Sequence, residues 1–197
     1  MSVIDINKGD KKALRQELKQ YFGIEEKMLF EDVYGFALVN NVAHKVDLLK
    51  SKEDYLDEAL KEKDPSKKIE IYKEALKINS DKDVVYAKMG LAYLELEKYN
   101  EAIDAYKEAL KINPSNDEAH CNMGFAYFKL KESKEAIDAY KKALKINPDN
   151  DVAHCNMGLA YLELKEPKKA IASCEKALKI NPDNEIARKV LRSLNSK

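Results

Sequence analysis

The chain has 197 residues, 45% of them apolar and 36% charged, and its 35 Lys+Arg are matched by 35 Asp+Glu. A formal charge of zero supplies no net field for nucleic acid or an anionic membrane surface, and no apolar run is long enough to span a bilayer. Few Gly (6) and Pro (5) and no Trp, beside abundant Ala, Leu, Lys and Glu, argue against a loop-rich β fold and for long helices.

The N-terminus, MSVIDINKGDKK, lacks the apolar core of a signal peptide. The three cysteines, Cys121, Cys155 and Cys174, are an odd and widely spaced set, unlike a disulfide framework. Both features lead to the expectation of a cytoplasmic protein. The stretch 10–22, DKKALRQELKQYF, reads as a short amphipathic helix that stops near Gly23. A second helix is expected over about 25–50, with Phe30, Tyr34, Leu38, Val42, Val46 and Leu49 along one stripe. Residues 1–48 share no period with the rest of the chain. They are expected to form a helical N-terminal segment, either a cap or a segment that docks into a groove of its own or of a second chain.

From residue 83 the chain repeats itself. Gly90, Gly124 and Gly158 are 34 residues apart, and so are Tyr93, Tyr127 and Tyr161, Ala102, Ala136 and Ala170, and Pro114, Pro148 and Pro182. The period divides the chain into units 83–116, 117–150 and 151–184, and the last two agree at 24 of 34 places, which excludes coincidence. Each unit reads as two helices. In the first, helix A runs roughly from Val84 to Leu96 and helix B from about Asn100 to Ile112, each with apolar residues at helical spacing. Asn-Pro ends every helix B, because proline lacks an N–H and moves the preceding residue out of the α region. The Asp and Asn residues that follow are N-caps for the next helix A. A glycine inside helix A costs about 1 kcal/mol relative to alanine. Its recurrence predicts a close backbone approach, with Ala102, Ala136 and Ala170 as the matching small residues on helix B.

Residues 49–82 form a weakened unit. IEIYKEALKINSD at 69–81 matches IDAYKEALKINPS at 103–115, and Asp64-Pro65 offers an N-cap followed by proline in the first turn, but Leu56 stands where glycine is expected. After residue 184, EIARKVLRSLNSK carries Ile186, Val190, Leu191 and Leu194 on one face, and 185–197 suits a C-terminal capping helix.

These residues resemble the tetratricopeptide repeat, whose 34-residue unit has a large residue at its fourth place, Leu-Gly at the seventh and eighth, then Tyr, Ala, an aromatic, Ala and Pro in order. Here the seventh place holds Met89, Met123 and Met157, the fourth holds Tyr86, His120 and His154, and Cys174 takes the aromatic place held by Tyr106 and Tyr140. The resemblance implies an all-α, right-handed superhelical solenoid of helix–turn–helix repeats with helical caps, working as a scaffold for protein–protein interaction. It also implies that the concave face, lined by helix A, takes up extended peptides or helices.

Carried over residue by residue, the lining places are Val84, Ala87, Leu91, Leu94 and Glu95 in the first unit. In the second they are Glu118, Cys121, Phe125, Phe128 and Lys129, and in the third Val152, Cys155, Leu159, Leu162 and Glu163. Asn122 and Asn156, where the family commonly has Asn, join the candidate set. The last two units differ at four of these five places but at only six of the other 29, so the scaffold is copied and the inner face varied. The family's carboxylate clamp for chaperone C-termini is not matched: Ala87, Leu91 and Val152 stand where Lys, Asn and Lys are needed, and only Asn122 fits.

The chemistry of the doubled AHCNMG, at 119–124 and 153–158, is weighed and set aside. Adjacent residues on a helix point about 100° apart, so His120 and Cys121 cannot hold one ion. Neighbouring repeats stand about 8–10 Å apart, beyond disulfide reach. No phosphate loop, GxSxG or HExxH occurs, so no catalytic residue, metal or cofactor is assigned. The expected function is a scaffold whose groove binds an apolar or amphipathic peptide or helix. The alternative is a self-assembling structural protein in which the N-terminal segment fills its own or a neighbour's groove, giving a homo-oligomer. Neither nucleic acid nor membrane insertion is expected.

Overall fold

The computed structural model describes residues 52–77 and 82–195. The expected helices within 1–48 lie outside the described residues. Among those described, the secondary structure is helical throughout: α1 (Lys52–Lys61), α2 (Pro65–Ala75), α3 (Lys82–Glu95), α4 (Tyr99–Ile112), α5 (Asp117–Lys129), α6 (Ser133–Ile146), α7 (Asp151–Glu163), α8 (Pro167–Ile180) and α9 (Glu185–Asn195). None of these helices is long and apolar enough to cross a membrane.

The helices pack as consecutive antiparallel pairs, α3 with α4, α5 with α6 and α7 with α8, with α1 and α2 ahead of them. Helix A of each pair also touches helix A of the next, α3 to α5, α5 to α7 and α7 to α9, whereas successive helix Bs are not packed together in this way. The array therefore curves with helix A inside and helix B outside. Its core is a chain of clusters that straddle the pairs. Ile69 and Tyr72 of α2 belong to the cluster around Val85 and Met89 of α3, and Ile103 and Tyr106 of α4 to the one around Ala119 and Met123 of α5. No pair closes its own core, and each buries its neighbour's apolar face.

The loops repeat as faithfully as the helices. Asn116 caps α5 and Asn150 caps α7, each side-chain oxygen accepting from the backbone N–H three residues on at 2.9 Å. Asp64 caps α2 in front of Pro65. The asparagine of each Asn-Pro does two things. The Asn147 side-chain oxygen accepts from the Asp149 N–H, which turns the loop, while its amide donates to Asp117 at 2.9 Å and ties the end of helix B to the start of its own helix A. Asn113 to Asp83 and Asn181 to Asp151 repeat that tie.

The turn from helix A to helix B holds a feature the sequence did not announce. Glu97, Lys131 and Lys165 are left-handed, with φ of 56°, 65° and 57°. Each sits where the helix closes in a Schellman turn: Lys165 N–H donates to the Leu162 carbonyl and Glu166 N–H to that of Tyr161, both at 2.9 Å. Glycine is the usual residue there because a Cβ costs about 1–2 kcal/mol in that region. Lys165→Gly is expected to raise stability by roughly 0.5–1 kcal/mol after the added flexibility of the unfolded chain is subtracted. A urea titration checks it, and an unchanged or lowered midpoint would refute the strain.

The three helix-A glycines do face helix B closely, but the group they admit is not the alanine. A Cβ on Gly90 would lie 2.7 Å from Tyr106 Cε1, and one on Gly124 would lie 2.7 Å from Tyr140 Cε1 and 3.1 Å from the Ala136 carbonyl oxygen. Glycine thus opens the slot for a fully buried tyrosine ring, and the alanine's contribution is through its backbone. In the last full repeat the facing atom is Cys174 Sγ, also at 2.7 Å.

Helix α9 sits in the helix-A register. Asn184 caps it by accepting from Ala187 N–H, as Asn150 does for α7, and Ala187 and Val190 are buried against Cys155, Cys174 and Ala177. Leu191 and Leu194 join that contact, whereas Ile186 of the expected apolar face is 52% exposed.

Candidate peptide-binding groove

The inner face is built by α3, α5 and α7. Along each, the residue after the glycine and the residue three further on point away from helix B, and both stay half-buried: Leu91 and Leu94, Phe125 and Phe128, Leu159 and Leu162. Leu94, Phe128, Leu159 and Leu162 rest partly on the core clusters. Lys129 lies with its ammonium 5.5 Å from the centre of the Phe125 ring, and Lys131 lies 6.0 Å from that of Phe128 while reaching Glu163 of the next repeat at 3.0 Å. The aromatic part of the face is therefore flanked by two cations, one of them tied to the next repeat through Glu163. Val84 and Val152 stand at the outer margin, 40% and 52% exposed. Ala87, Asn122 and Asn156 are half-buried within it, and Asn122 lies beside the buried Tyr106 hydroxyl.

Two candidates do not reach the surface. Cys121 and Cys155 keep only 6% and 2% of their area, because the next helix A covers each of them: Cys121 packs with Ala153, and Cys155 with Ala187 and Val190. They underlie the groove rather than line it. Burial first, and nearby carboxylates second, push both thiols up to about 11. Cys174 is pushed to the same value by burial and then by Cys155. At neutral pH all three are protonated and poor nucleophiles. No group of three or more His, Cys, Asp or Glu that could hold a metal occurs among the described residues.

The histidines of AHCNMG have a role the sequence did not disclose. His120 Nε2–H donates to the Pro114 carbonyl at 3.1 Å, and His154 Nε2–H to that of Pro148 at 3.0 Å. The side chain pins helix A onto the preceding Asn-Pro turn. In α9 the equivalent residue is Arg188, whose guanidinium donates to the Pro182 carbonyl at 2.6 Å. The available signal was the constant six-residue step from each proline to a donor. Both rings are 8–9% exposed and their Nδ1 atoms have no partner among the described residues, so they are held neutral.

Stacked helix pairs, a varied apolar inner face and a structural rather than chemical use of His and Cys define a helical-repeat scaffold. Residues 90–131 match a family model described as TPR repeat, and residues 117–150 and 152–184 match the one described as Tetratricopeptide repeat. The chain is a tetratricopeptide repeat protein, and such a protein is a scaffold for protein and peptide interaction. Among solved structures, MamA is similar over 75% of this chain and 84% of its own, at 26% identity and a TM-score of 0.66. The first TPR of Spaghetti (RPAP3), solved with an HSP90 peptide SRMEEVD, is 29% identical over 60% of this chain and 94% of its own, with a TM-score of 0.58. The Arabidopsis OM64 TPR domain is also 29% identical, over 58% and 94%, with a TM-score of 0.57. No curated protein matches the chain.

Proposed function

We propose that the inner face binds an apolar or amphipathic peptide or helix presented by another protein. The observation that carries this reading is the stripe of Leu91, Phe125 and Leu159, one residue per repeat in one register, which the array leaves half uncovered. Successive anchors on neighbouring A helices suit side chains spaced along one ligand strand or helix. The RPAP3 domain was solved with an acidic HSP90 peptide, and that ligand is not carried over. Ala87 and Leu91 offer its carboxylate neither charge nor an amide, and Leu91 adds apolar surface in their place. Val84, Leu94, Asn122, Phe128, Lys129, Asn156 and Leu162 would set the edges and the register of the bound segment.

Affinity capture from a lysate of the source organism, followed by titration of the captured segment, tests the proposal. Phe125→Glu/Leu159→Glu is expected to weaken that binding at least about tenfold while leaving helicity intact, since buried aromatic anchors dominate such interfaces. Binding that survives the double substitution unchanged would end the groove reading.

A further inference from the structure

The outer face carries a second cleft. It opens between α6 and α8, with a volume of about 850 Å³, and its apolar part is Leu144, Met157 and Ile180. Lys141 and Lys145 of α6 and Lys176 and Lys179 of α8 stand around it, against one acid, Asp149. His154 lies in the same wall.

The charge here departs from the repeat. In α4 the lysine at this place, Lys111, pairs with Glu108 three residues earlier. One and two repeats later the partner's place is taken by Lys142 and Lys176, so Lys145 and Lys179 have no carboxylate within ion-pairing distance among the described residues. Helix α8 carries one acid, Glu175, against Lys168, Lys176 and Lys179, while Lys169 pairs with Glu166 at the helix start. Like charges at this helical spacing destabilise the helix that bears them. The array gains nothing from the exchange by itself, whereas an anionic occupant would be held by it. Ile146 and Ile180, 40% and 37% exposed at the ends of α6 and α8, extend the apolar part of the same surface.

We infer that this outer cleft is a second docking site, for an acidic segment of a partner protein that inserts apolar side chains between α6 and α8 and lays its carboxylates against Lys145, Lys176 and Lys179. A concave floor of leucine, methionine and isoleucine suits apolar side chains carried by the same acidic segment. The site lies on the opposite side of the array from Phe125 and Leu159, so one chain can hold two ligands.

Fluorescence anisotropy of the full chain with a short fluorescein-labelled peptide of glutamate and paired leucines tests this. Binding is expected, weakened at least about tenfold by Lys145→Glu/Lys179→Glu, less by the Gln pair, and unaffected by Phe125→Glu/Leu159→Glu. Circular dichroism confirms that these exposed positions leave the fold intact. Equal binding by the lysine variant overturns the inference, as does equal binding of a peptide with serine for leucine, which would reduce the effect to charge alone. Lysine-dependent binding to vesicles containing phosphatidylglycerol, but not to the peptide, would reassign the face to a membrane surface. Peptide binding that appears only after Glu25, Glu26, Glu31 and Asp32 are neutralised would make the chain's own N-terminal segment the occupant and overturn the partner reading.

Discussion

Gly124→Ala is expected to destabilise the protein by about 1–2 kcal/mol, although alanine is the better helix former by about 1 kcal/mol. The added methyl would lie 2.7 Å from Tyr140 Cε1 and 3.1 Å from the Ala136 carbonyl. Tyr140 is fully buried and Ala136 is backbone, so neither can give way without moving α6 against α5. Overpacking of this kind typically costs about 1–3 kcal/mol, more than propensity returns. Gly90→Ala meets Tyr106 in the same geometry and is expected to behave alike. Gly158→Ala differs, because the obstructing atom is the single sulfur of Cys174, which can rotate about χ1, and the Ala170 carbonyl is further off at 3.3 Å. Its cost should be less than half that of Gly124→Ala. Denaturant midpoints of the three variants decide the matter, and equal losses at Gly124 and Gly158 would show that the tyrosine ring is not what the glycine accommodates.

Acidification is the second lever. In the unfolded chain each histidine titrates near about 6.5. Folding lowers His120 and His154 below that, chiefly by burial of the ring and further by Lys142 and Lys176 respectively. The bond to the proline carbonyl opposes the shift without cancelling it. Between the folded and ordinary values the unfolded chain binds more protons, so stability is complete above about pH 7 and falls as the pH drops through that window. Two equivalent sites act in the same direction. Thermal melts between about pH 7.5 and 5.5 should show a steady decline for the natural sequence. The decline should be markedly shallower for His120→Tyr/His154→Tyr, which copies Tyr86 at the same place in the first full repeat. Parallel pH profiles for the two proteins would remove the histidines from the account.

The period, the helix pairs and their ends were legible because each rests on a local rule that the chain states three times. Asn-Pro stops a helix and Asn116 or Asn150 starts one, whatever the partner helices do. Harder to see was anything decided by a residue's distant neighbour. Glycine announced a close approach, but only the packed structure shows that Tyr106 and Tyr140 fill the space. Cys121 and Cys155 occupy places expected on the inner face, yet a small side chain there is overrun by the next helix A, whereas Phe125 is too large to be covered. The left-handed Glu97, Lys131 and Lys165 gave no signal, since neither residue type favours that conformation. The outer cleft was hidden for the same reason: Lys145 and Lys179 recur like scaffold, and their isolation emerges only when their neighbours on α6 and α8 are placed.

The half-repeat register of α9 bears on how such an array changes length. Its cap from Asn184 and its Arg188 bond to Pro182 reproduce the junction that α7 makes with the repeat before it. A duplicate of residues 151–184 placed between Asn184 and Glu185 would therefore meet a matching seam at both ends. Growth by whole units is open at this point without redesigning α9, and each added unit would lengthen the inner and outer surfaces together.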